Sequence, residues 1–158
     1  MAYETIRYET DKRGVARVTL ARTSVHNAMS AELIAEIRDA TNRIAKDGAI
    51  RAVVLTGEGE SFCAGGDLRW MQANVNATRK ERMTAAGEIA DMLFELDTLP
   101  KPLIGRINGP AYGGGIGLIS VCDVAIGVEG ARFGLTEVRL GLVPATISPY
   151  VVRRMGRA

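Results

Sequence analysis

The sequence predicts an α/β fold, because short apolar runs typical of strands alternate with longer segments that have helical periodicity. The clearest apolar runs are Ala52 to Thr56, Leu103 to Ile107 and Val124 to Ile126. The clearest helical segments follow Ser30 and begin again at Arg79. The unit of strand, turn and helix recurs along the chain, although the sequence itself contains no repeat.

The first third of the chain predicts a hairpin and then a helix. Two β-rich runs, Ile6 to Glu9 and Val15 to Leu20, flank a turn that ends in Gly14, which is typical of a hairpin. Ser30 is a suitable N-cap for a helix that reaches about Lys46. The run from Ala52 is nearly all apolar, as expected of a strand that is covered on both faces.

A second long helix is expected from Arg79 to Leu96, with Pro100 and Pro102 ending it. The polar segment from Gln72 to Glu81 is predicted to be a mobile loop. After the strand from Leu103, a short helix is expected from Gly114 to Val121, and a further buried strand follows it.

The last eleven residues predict the start of another helix, with Ser148 as N-cap and Pro149 in the first turn. The sequence ends at Ala158, soon after that start. We therefore expect residues 1–158 to form one domain that is truncated at its C-terminal end.

Composition and charge favour a soluble globular protein without nucleic-acid or membrane partners. Hydrophobic residues make up 47% and charged residues 24%, an ordinary balance. A net charge of +2 is too small to indicate a nucleic-acid surface, and one Trp with four Tyr forms no stacking platform. No apolar run is long enough for a membrane span.

The small number of Cys and His residues also limits the cellular compartment and the metal sites that the sequence can predict. Cys63 and Cys122 lie in apolar segments and are too few for a disulfide framework, which favours a reducing compartment. The segment Met1 to Glu4 has no apolar core of a signal peptide, so a cytoplasmic location is expected. His26 is the only histidine, and we expect no metal site.

Two glycine-rich turns carry the chemistry that the sequence suggests. One is Phe62 to Leu68 and the other is Asn108 to Leu118, and each follows a predicted strand. Glycine lets the backbone approach a ligand closely, so two such turns can direct two N–H groups at one oxygen, as an oxyanion hole does. The alternatives are tight helix packing or a phosphate site in the second turn, and a simple bend with a structural Asp67 in the first.

Glu137 follows these turns and has two interpretations. It is a candidate general acid or base, which together with two N–H donors would support enolate chemistry on a carbonyl compound. The alternative, which the residues alone favour, is an exposed glutamate at a strand end that pairs with Arg139. The chain has neither a Gly-x-Ser-x-Gly elbow nor a P-loop, and His26 suits surface hydrogen bonding or a contact with a ligand phosphate.

These motifs, taken in order along almost the whole chain, resemble the crotonase (enoyl-CoA hydratase/isomerase) superfamily. The segments from Ala64 to Met71 and from Leu135 to Val151 are most similar to the bacterial methylglutaconyl-CoA hydratase branch. The matching pieces are Val25-His26-Asn27-Ala28-Met29, Val53-Val54-Leu55-Thr56-Gly57, Phe62-Cys63-Ala64-Gly65-Gly66-Asp67-Leu68, Asn108-Gly109, Gly113-Gly114-Gly115, Cys122-Asp123 and Phe133-Gly134.

The resemblance implies a crotonase-like spiral of ββα units that binds an acyl-CoA thioester. It places the oxyanion-hole N–H groups at Gly66 and Gly114 and the catalytic carboxylate at Glu137. It implies a homo-oligomer, a trimer or a dimer of trimers, and no cofactor, since coenzyme A enters as part of the substrate. The residues expected near the substrate are Val25, His26, Ala64, Leu68 and Arg69.

The chain departs from the family pattern at two places. Hydratases of the best-known type carry a first glutamate where Gly117 stands, and the family's C-terminal helical segment is missing. Hydration of an enoyl-CoA of the methylglutaconyl type is the favoured activity. The alternatives are an enoyl-CoA isomerase that needs one carboxylate, and a non-catalytic CoA-binding or assembly fragment.

Overall fold

The computed structural model describes residues 3–156, so that residues 1, 2, 157 and 158 of the predicted domain lie outside it. The strands are β1 (Ile6–Thr10), β2 (Val15–Leu20), β3 (Ala52–Gly57), β4 (Leu103–Ile107), β5 (Ala111–Tyr112), β6 (Val124–Gly127) and β7 (Phe133–Gly134). The helices are α1 (Ala31–Lys46), α2 (Leu68–Val75), α3 (Arg79–Asp97), α4 (Gly114–Ser120) and α5 (Ser148–Met155), with 3₁₀ helices at Thr23–Val25 and Glu137–Leu140. Among the described residues, none of the helices has the length and apolarity needed to cross a bilayer.

The large sheet has five strands in the order β1-β2-β3-β4-β6. β1 and β2 form the predicted antiparallel hairpin, and Gly14 takes a φ of +78° in its turn. The pairs β2–β3, β3–β4 and β4–β6 are all parallel. Each parallel connection therefore crosses over through intervening helices, as parallel strands require.

A second, much smaller ladder runs beside this sheet and gives the chain its spiral form. Its rungs are the isolated bridges Met29–Gly66 and Cys63–Ala111 and the parallel pair β5–β7. After each of β2, β3, β4 and β6, the chain adds one short extended segment to this ladder before the following helix begins. The predicted spiral of ββα units is thus confirmed.

The core lies between the large sheet and helices α1, α3 and α4. Ser30 caps α1 as predicted, accepting a hydrogen bond from the Leu33 N–H at 3.2 Å. One apolar face of α1 packs against the sheet, and a neighbouring face packs against α3. The largest fully buried side chains are Leu20, Met29, Leu33, Ile34, Ile37, Ile44, Leu55, Phe62, Met92, Leu93, Leu103 and Leu118.

The loop that the sequence predicted from Gln72 to Glu81 is not found. Most of that segment is helical, since α2 runs to Val75 and α3 begins at Arg79. The turn between the two helices is fixed by a capping box, in which Thr78 and Glu81 satisfy each other's backbone N–H groups.

Two further details at the C-terminal end differ from prediction. β6 forms, but it is an edge strand rather than a buried one, and Val124 and Ile126 are 52% and 63% exposed. Ser148 is the first residue of α5 rather than its N-cap, and its hydroxyl donates to the Pro144 carbonyl at 2.6 Å. Periodicity alone does not show which strand ends a sheet, because that depends on pairing partners.

Candidate active site

A cavity of about 540 Å³ opens where the second ladder meets the starts of α2 and α4. It would hold a ligand of ordinary cofactor or substrate size. All eight residues that the sequence predicted for the site line this one cavity. They are Val25, His26, Ala64, Gly66, Leu68, Arg69, Gly114 and Glu137.

The first glycine turn presents a backbone N–H that has no protein acceptor. The Met29 N–H donates to the Gly65 carbonyl at 2.7 Å, and the Asp67 N–H donates to the Met29 carbonyl at 2.9 Å. Gly66 lies between these two bonds, and within residues 3–156 its own N–H makes no hydrogen bond. A backbone donor beside a cavity without a partner is available to a ligand.

The second turn supplies a matching donor. The Gly113 N–H donates to the Gly134 carbonyl at 3.0 Å, which fixes the turn to β7. Gly114 then begins α4, and its N–H likewise has no acceptor in the described part of the chain. A Cβ on Gly114 would lie 2.0 Å from Met29 Cε, so the methionine packs closely against this backbone.

Glu137 opens the 3₁₀ helix that follows β7, and its carboxylate lies against the Gly113 turn. A Cβ built on Gly113 would be 3.2 Å from Glu137 Oε1. Oε2 is buried and is the one buried side-chain N or O atom of residues 3–156 that has no hydrogen-bond partner. Among the described ion pairs none joins Glu137 to Arg139, so the surface-pair interpretation has no support. A buried carboxylate oxygen without a protein partner is free to accept a hydrogen bond from a ligand in the cavity.

The other wall is the tight loop that follows the 3₁₀ helix Thr23–Val25. His26 and Asn27 both have positive φ, 52° and 57°. Asn27 is fully buried and stabilises this loop, because its amide donates to the carbonyls of Glu58 and Ser61 at 2.9 Å. His26 stays exposed, with Nδ1 3.0 Å from Ser61 Oγ.

Asp67 has the structural role that the sequence suggested, as an acceptor for nearby backbone N–H groups, and it also forms an ion pair that the sequence did not suggest. Its Oδ1 caps α2 by accepting from the N–H groups of Arg69 and Trp70 at 2.9 and 3.3 Å. Its Oδ2 pairs with Arg22, which no motif indicated. Burial alone would raise the pKa of Asp67, but the Arg22 guanidinium and the two backbone donors hold it below its usual value.

Gly117 does not face the cavity. It lies in the buried part of α4, and a Cβ there would be 2.4 Å from Ile147 Cγ2. Further cavity-lining residues that sequence reasoning did not select include Met71, Thr136, Arg139, Leu140 and Leu142. Their only signal was proximity in sequence to Gly66 or Glu137.

The geometry therefore combines two free N–H donors and one unpaired carboxylate in one cavity. Two backbone donors can share the negative charge of an oxyanion, and a nearby carboxylate can carry a proton.

Comparison with known proteins identifies the family of the chain. A family model described as "Enoyl-CoA hydratase/isomerase" matches residues 10–158. The enoyl-CoA hydratase AKT6-1 of Alternaria alternata is 38% identical over 143 residues, which is 90% of this chain and 46% of that protein. The crotonyl-CoA hydratase of Syntrophomonas wolfei is 37% identical over 91% of this chain and 54% of its own.

A solved enoyl-CoA hydratase from Shewanella pealeana superposes with a TM-score of 0.95 at 37% identity, covering 98% of this chain and 58% of that one. The chain thus belongs to the enoyl-CoA hydratase/isomerase family and has the crotonase-like fold. It spans about half the length of the curated relatives that it matches.

Proposed function

We propose that this chain binds an acyl-CoA thioester and hydrates an α,β-unsaturated acyl group. The observation that carries the proposal is the meeting of the free Gly66 and Gly114 N–H groups with the Glu137 carboxylate in one cavity. Val25, His26, Ala64, Leu68 and Arg69, which line the same cavity, are the residues that we propose contact the substrate. Coenzyme A enters as part of the substrate, and the proposed reaction uses no other cofactor.

In the proposed reaction, both N–H groups donate to the thioester oxygen. Glu137 takes a proton from water as the water oxygen attacks the β-carbon. The electron pair of the double bond moves onto the thioester, and the enolate oxygen is stabilised by the two donors. Glu137 then returns the proton to the α-carbon, so that one water has added across the double bond. Each such donor contributes about 10²–10³ in rate.

We propose 3-methylglutaconyl-CoA as the preferred substrate. Support comes from the segments around Ala64 to Met71 and Leu135 to Val151, which resemble that branch of the family. Both segments contribute to the cavity wall, the first through α2 and the second through the 3₁₀ helix at Glu137.

The second candidate is isomerisation of an enoyl-CoA, in which one carboxylate moves a proton between two carbons. It is favoured by Gly117, which offers no second carboxylate and is packed against Ile147. Incubation in deuterated water separates the two activities, because isomerisation gives a deuterated alkene shifted along the acyl chain and no alcohol.

The test is turnover of crotonyl-CoA and 3-methylglutaconyl-CoA by the chain, by Glu137→Gln and by Glu129→Gln, an exposed glutamate in the loop between β6 and β7. We expect hydration that is lost in Glu137→Gln and kept in Glu129→Gln. Binding of CoA esters without any turnover would favour a non-catalytic binding module. No binding would refute the proposal.

We also propose that the chain self-associates, as a trimer or a dimer of trimers. Support comes from large apolar side chains that stay exposed near the C-terminal end, and such patches drive association. Sedimentation equilibrium tests this, and a monomer at micromolar concentration would refute it. The exposed apolar side chains that support self-association are those of Val124, Ile126, Val128, Phe133, Leu135, Val138, Leu140, Leu142 and Val143.

A further inference from the structure

We infer that the ion pair between Arg22 and Asp67 positions the Gly66 N–H and neutralises the charge beside it, so that Arg22 is a positioning residue for catalysis. This inference rests on the proposed function, since it assigns Gly66 to the oxyanion hole. Neither residue needs to touch the reacting atoms.

The guanidinium of Arg22 joins two segments that form the wall of the cavity. Its Nη2 donates to Asp67 Oδ2 at 2.9 Å, and its Nη1 donates to the Ala28 carbonyl. The two side chains are only 22% and 10% exposed, so the pair is much less screened by water than a surface ion pair. A partly buried pair whose guanidinium donates two hydrogen bonds holds a defined geometry.

The two anchor points flank the bridge that presents Gly66. Ala28 precedes Met29 and Asp67 follows Gly66, while Met29 and Gly66 themselves form the isolated bridge of the second ladder. That bridge consists of only two backbone hydrogen bonds. A third backbone bond, from the Ala64 N–H to the His26 carbonyl at 2.9 Å, joins the same two segments farther from Gly66. The Arg22 side chain adds a side-chain connection between them, one residue from the bridge. Without it, we expect Gly66 to move relative to Gly114 and the two donors to lose their common target.

The backbone of Arg22 is held in place by Asn27. Its backbone N–H donates to Asn27 Oδ1 at 2.9 Å, and its carbonyl accepts from the Asn27 N–H at 2.9 Å. Asn27 is in turn fully buried. The Arg22 side chain therefore extends from a rigid loop, and a side chain that positions its neighbours needs such a fixed backbone.

Electrostatics gives the pair a second effect. Asp67 directly follows Gly66 and also lines the cavity, so its carboxylate belongs to the wall that presents the proposed oxyanion donor. An unpaired carboxylate in this wall would oppose negative charge on the proposed enolate oxygen, and the opposition is stronger for a partly buried charge than for one in water. The Arg22 cation offsets it.

The test uses three variants and one matched control. Asp67→Asn keeps the size of the side chain and an oxygen that can cap α2, but removes the charge. Arg22→Gln leaves the Asp67 carboxylate unpaired, and the double variant removes both charges. The control is Glu95→Gln, which breaks the pair Arg38–Glu95 between α1 and α3, at 2.8 Å and with side chains 25% and 23% exposed.

Two measurements separate positioning from mere stability. The first is kcat and KM for the better of the two substrates in the turnover test. The second is the absorption shift of bound 4-dimethylaminocinnamoyl-CoA, which reports how strongly the thioester oxygen is polarised. Thermal unfolding of each variant accompanies both.

We expect Arg22→Gln and Asp67→Asn to lower kcat by about tenfold or more, because small displacements of a catalytic group are costly. KM should change less, and the absorption shift should shrink. The double variant should recover part of the Arg22→Gln loss. Glu95→Gln should lose similar thermal stability with unchanged kcat and absorption shift.

Unchanged kcat and absorption shift in Asp67→Asn, with only a lower melting temperature, would overturn the inference and leave the proposed function intact. Absence of binding and turnover in the unsubstituted chain would overturn both. Should Arg22→Gln fail to fold by circular dichroism, Asp67→Asn alone decides the question.

Discussion

Gly113 and Glu137 face each other across the turn that begins α4, so that a side chain on the glycine would meet the carboxylate. Gly113 has a φ of +50°, and a methyl group on it would lie 3.2 Å from Oε1 and 3.5 Å from Cδ of Glu137. Glycine suits this position for two reasons: its backbone conformation, and the close approach of the carboxylate, which a methyl group would have to displace slightly.

Gly113→Ala tests that contact. We expect a loss of stability of about 1–3 kcal/mol from the positive φ, together with a clear loss of turnover because Glu137 is displaced. Gly130→Ala is the matched control, since Gly130 has a φ of +76° but no atom within 4 Å of its Cβ position. Turnover that falls equally in both variants would show that backbone strain alone, and not the contact, is responsible.

Glu137→Ala separates catalysis from stability. The buried Oε2 has no hydrogen-bond partner in the described residues, and such an atom costs about 1–3 kcal/mol of stability. We therefore expect turnover to fall by about 10²–10⁴ while the free energy of unfolding stays the same or rises. Urea denaturation measures the second quantity. A clearly less stable variant would mean that the carboxylate serves the fold.

The sequence predicted much of this molecule because local signals agreed with the final contacts. The Ser30 cap, the hairpin at Gly14 and the glycine turn before α4 depend on residues close in sequence, and all are confirmed. The candidate site residues came from motif order, and the fold brings them to one cavity.

The features that the sequence did not predict depend mostly on contacts between residues distant in sequence. β6 is apolar like a buried strand, yet it lies at the sheet edge, which only the strand order reveals. The pair Arg22–Asp67 joins residues 45 positions apart, and neither belongs to a pattern that names the other. The short helix α2 is not predicted from the sequence, because eight residues are too few for a clear helical periodicity.

Two helical glycines are expected to respond in opposite ways to alanine. A Cβ on Gly117 would lie 2.4 Å from Ile147 Cγ2, whereas nothing lies within 4 Å of the Cβ position of Gly87 in α3. We expect Gly117→Ala to destabilise the fold by about 1–3 kcal/mol through overpacking. Gly87→Ala should stabilise it by up to about 1 kcal/mol. The melting temperatures of the two variants test both expectations. A Gly117→Ala variant more stable than the unsubstituted chain would refute the close packing of α4 on Ile147.

Both cysteines should be inert in the folded chain. Burial raises the pKa of Cys63 to about 11 and that of Cys122 to about 12. Because the thiolate is the reactive form, iodoacetamide at pH 8 should add nothing to the native protein and two groups in 8 M urea. Mass spectrometry measures the number added, and labelling of either thiol under native conditions would contradict the burial.

Glu36 on α1 should make stability depend on pH in the acid range. Its carboxylate accepts from the N–H groups of Glu4, Thr5 and Ile6 at 2.7, 2.8 and 3.2 Å, and from the Thr5 hydroxyl. Burial alone would raise the pKa of Glu36, but these four donors together hold it below its ordinary value of 4.5.

Because the folded-state pKa is depressed, the stabilisation is fully present above pH 4.5 and is lost as the pH falls through the folded value. We expect Glu36→Gln to cost about 1–3 kcal/mol at pH 7, since hydrogen bonds to charged groups are stronger than neutral ones. The difference from the unsubstituted chain should shrink as the pH is lowered below 4.5. Urea denaturation across pH 3–7 measures it, with Glu129→Gln as the exposed control. A difference that stays constant across this range would mean that the carboxylate charge contributes nothing to holding β1 on α1.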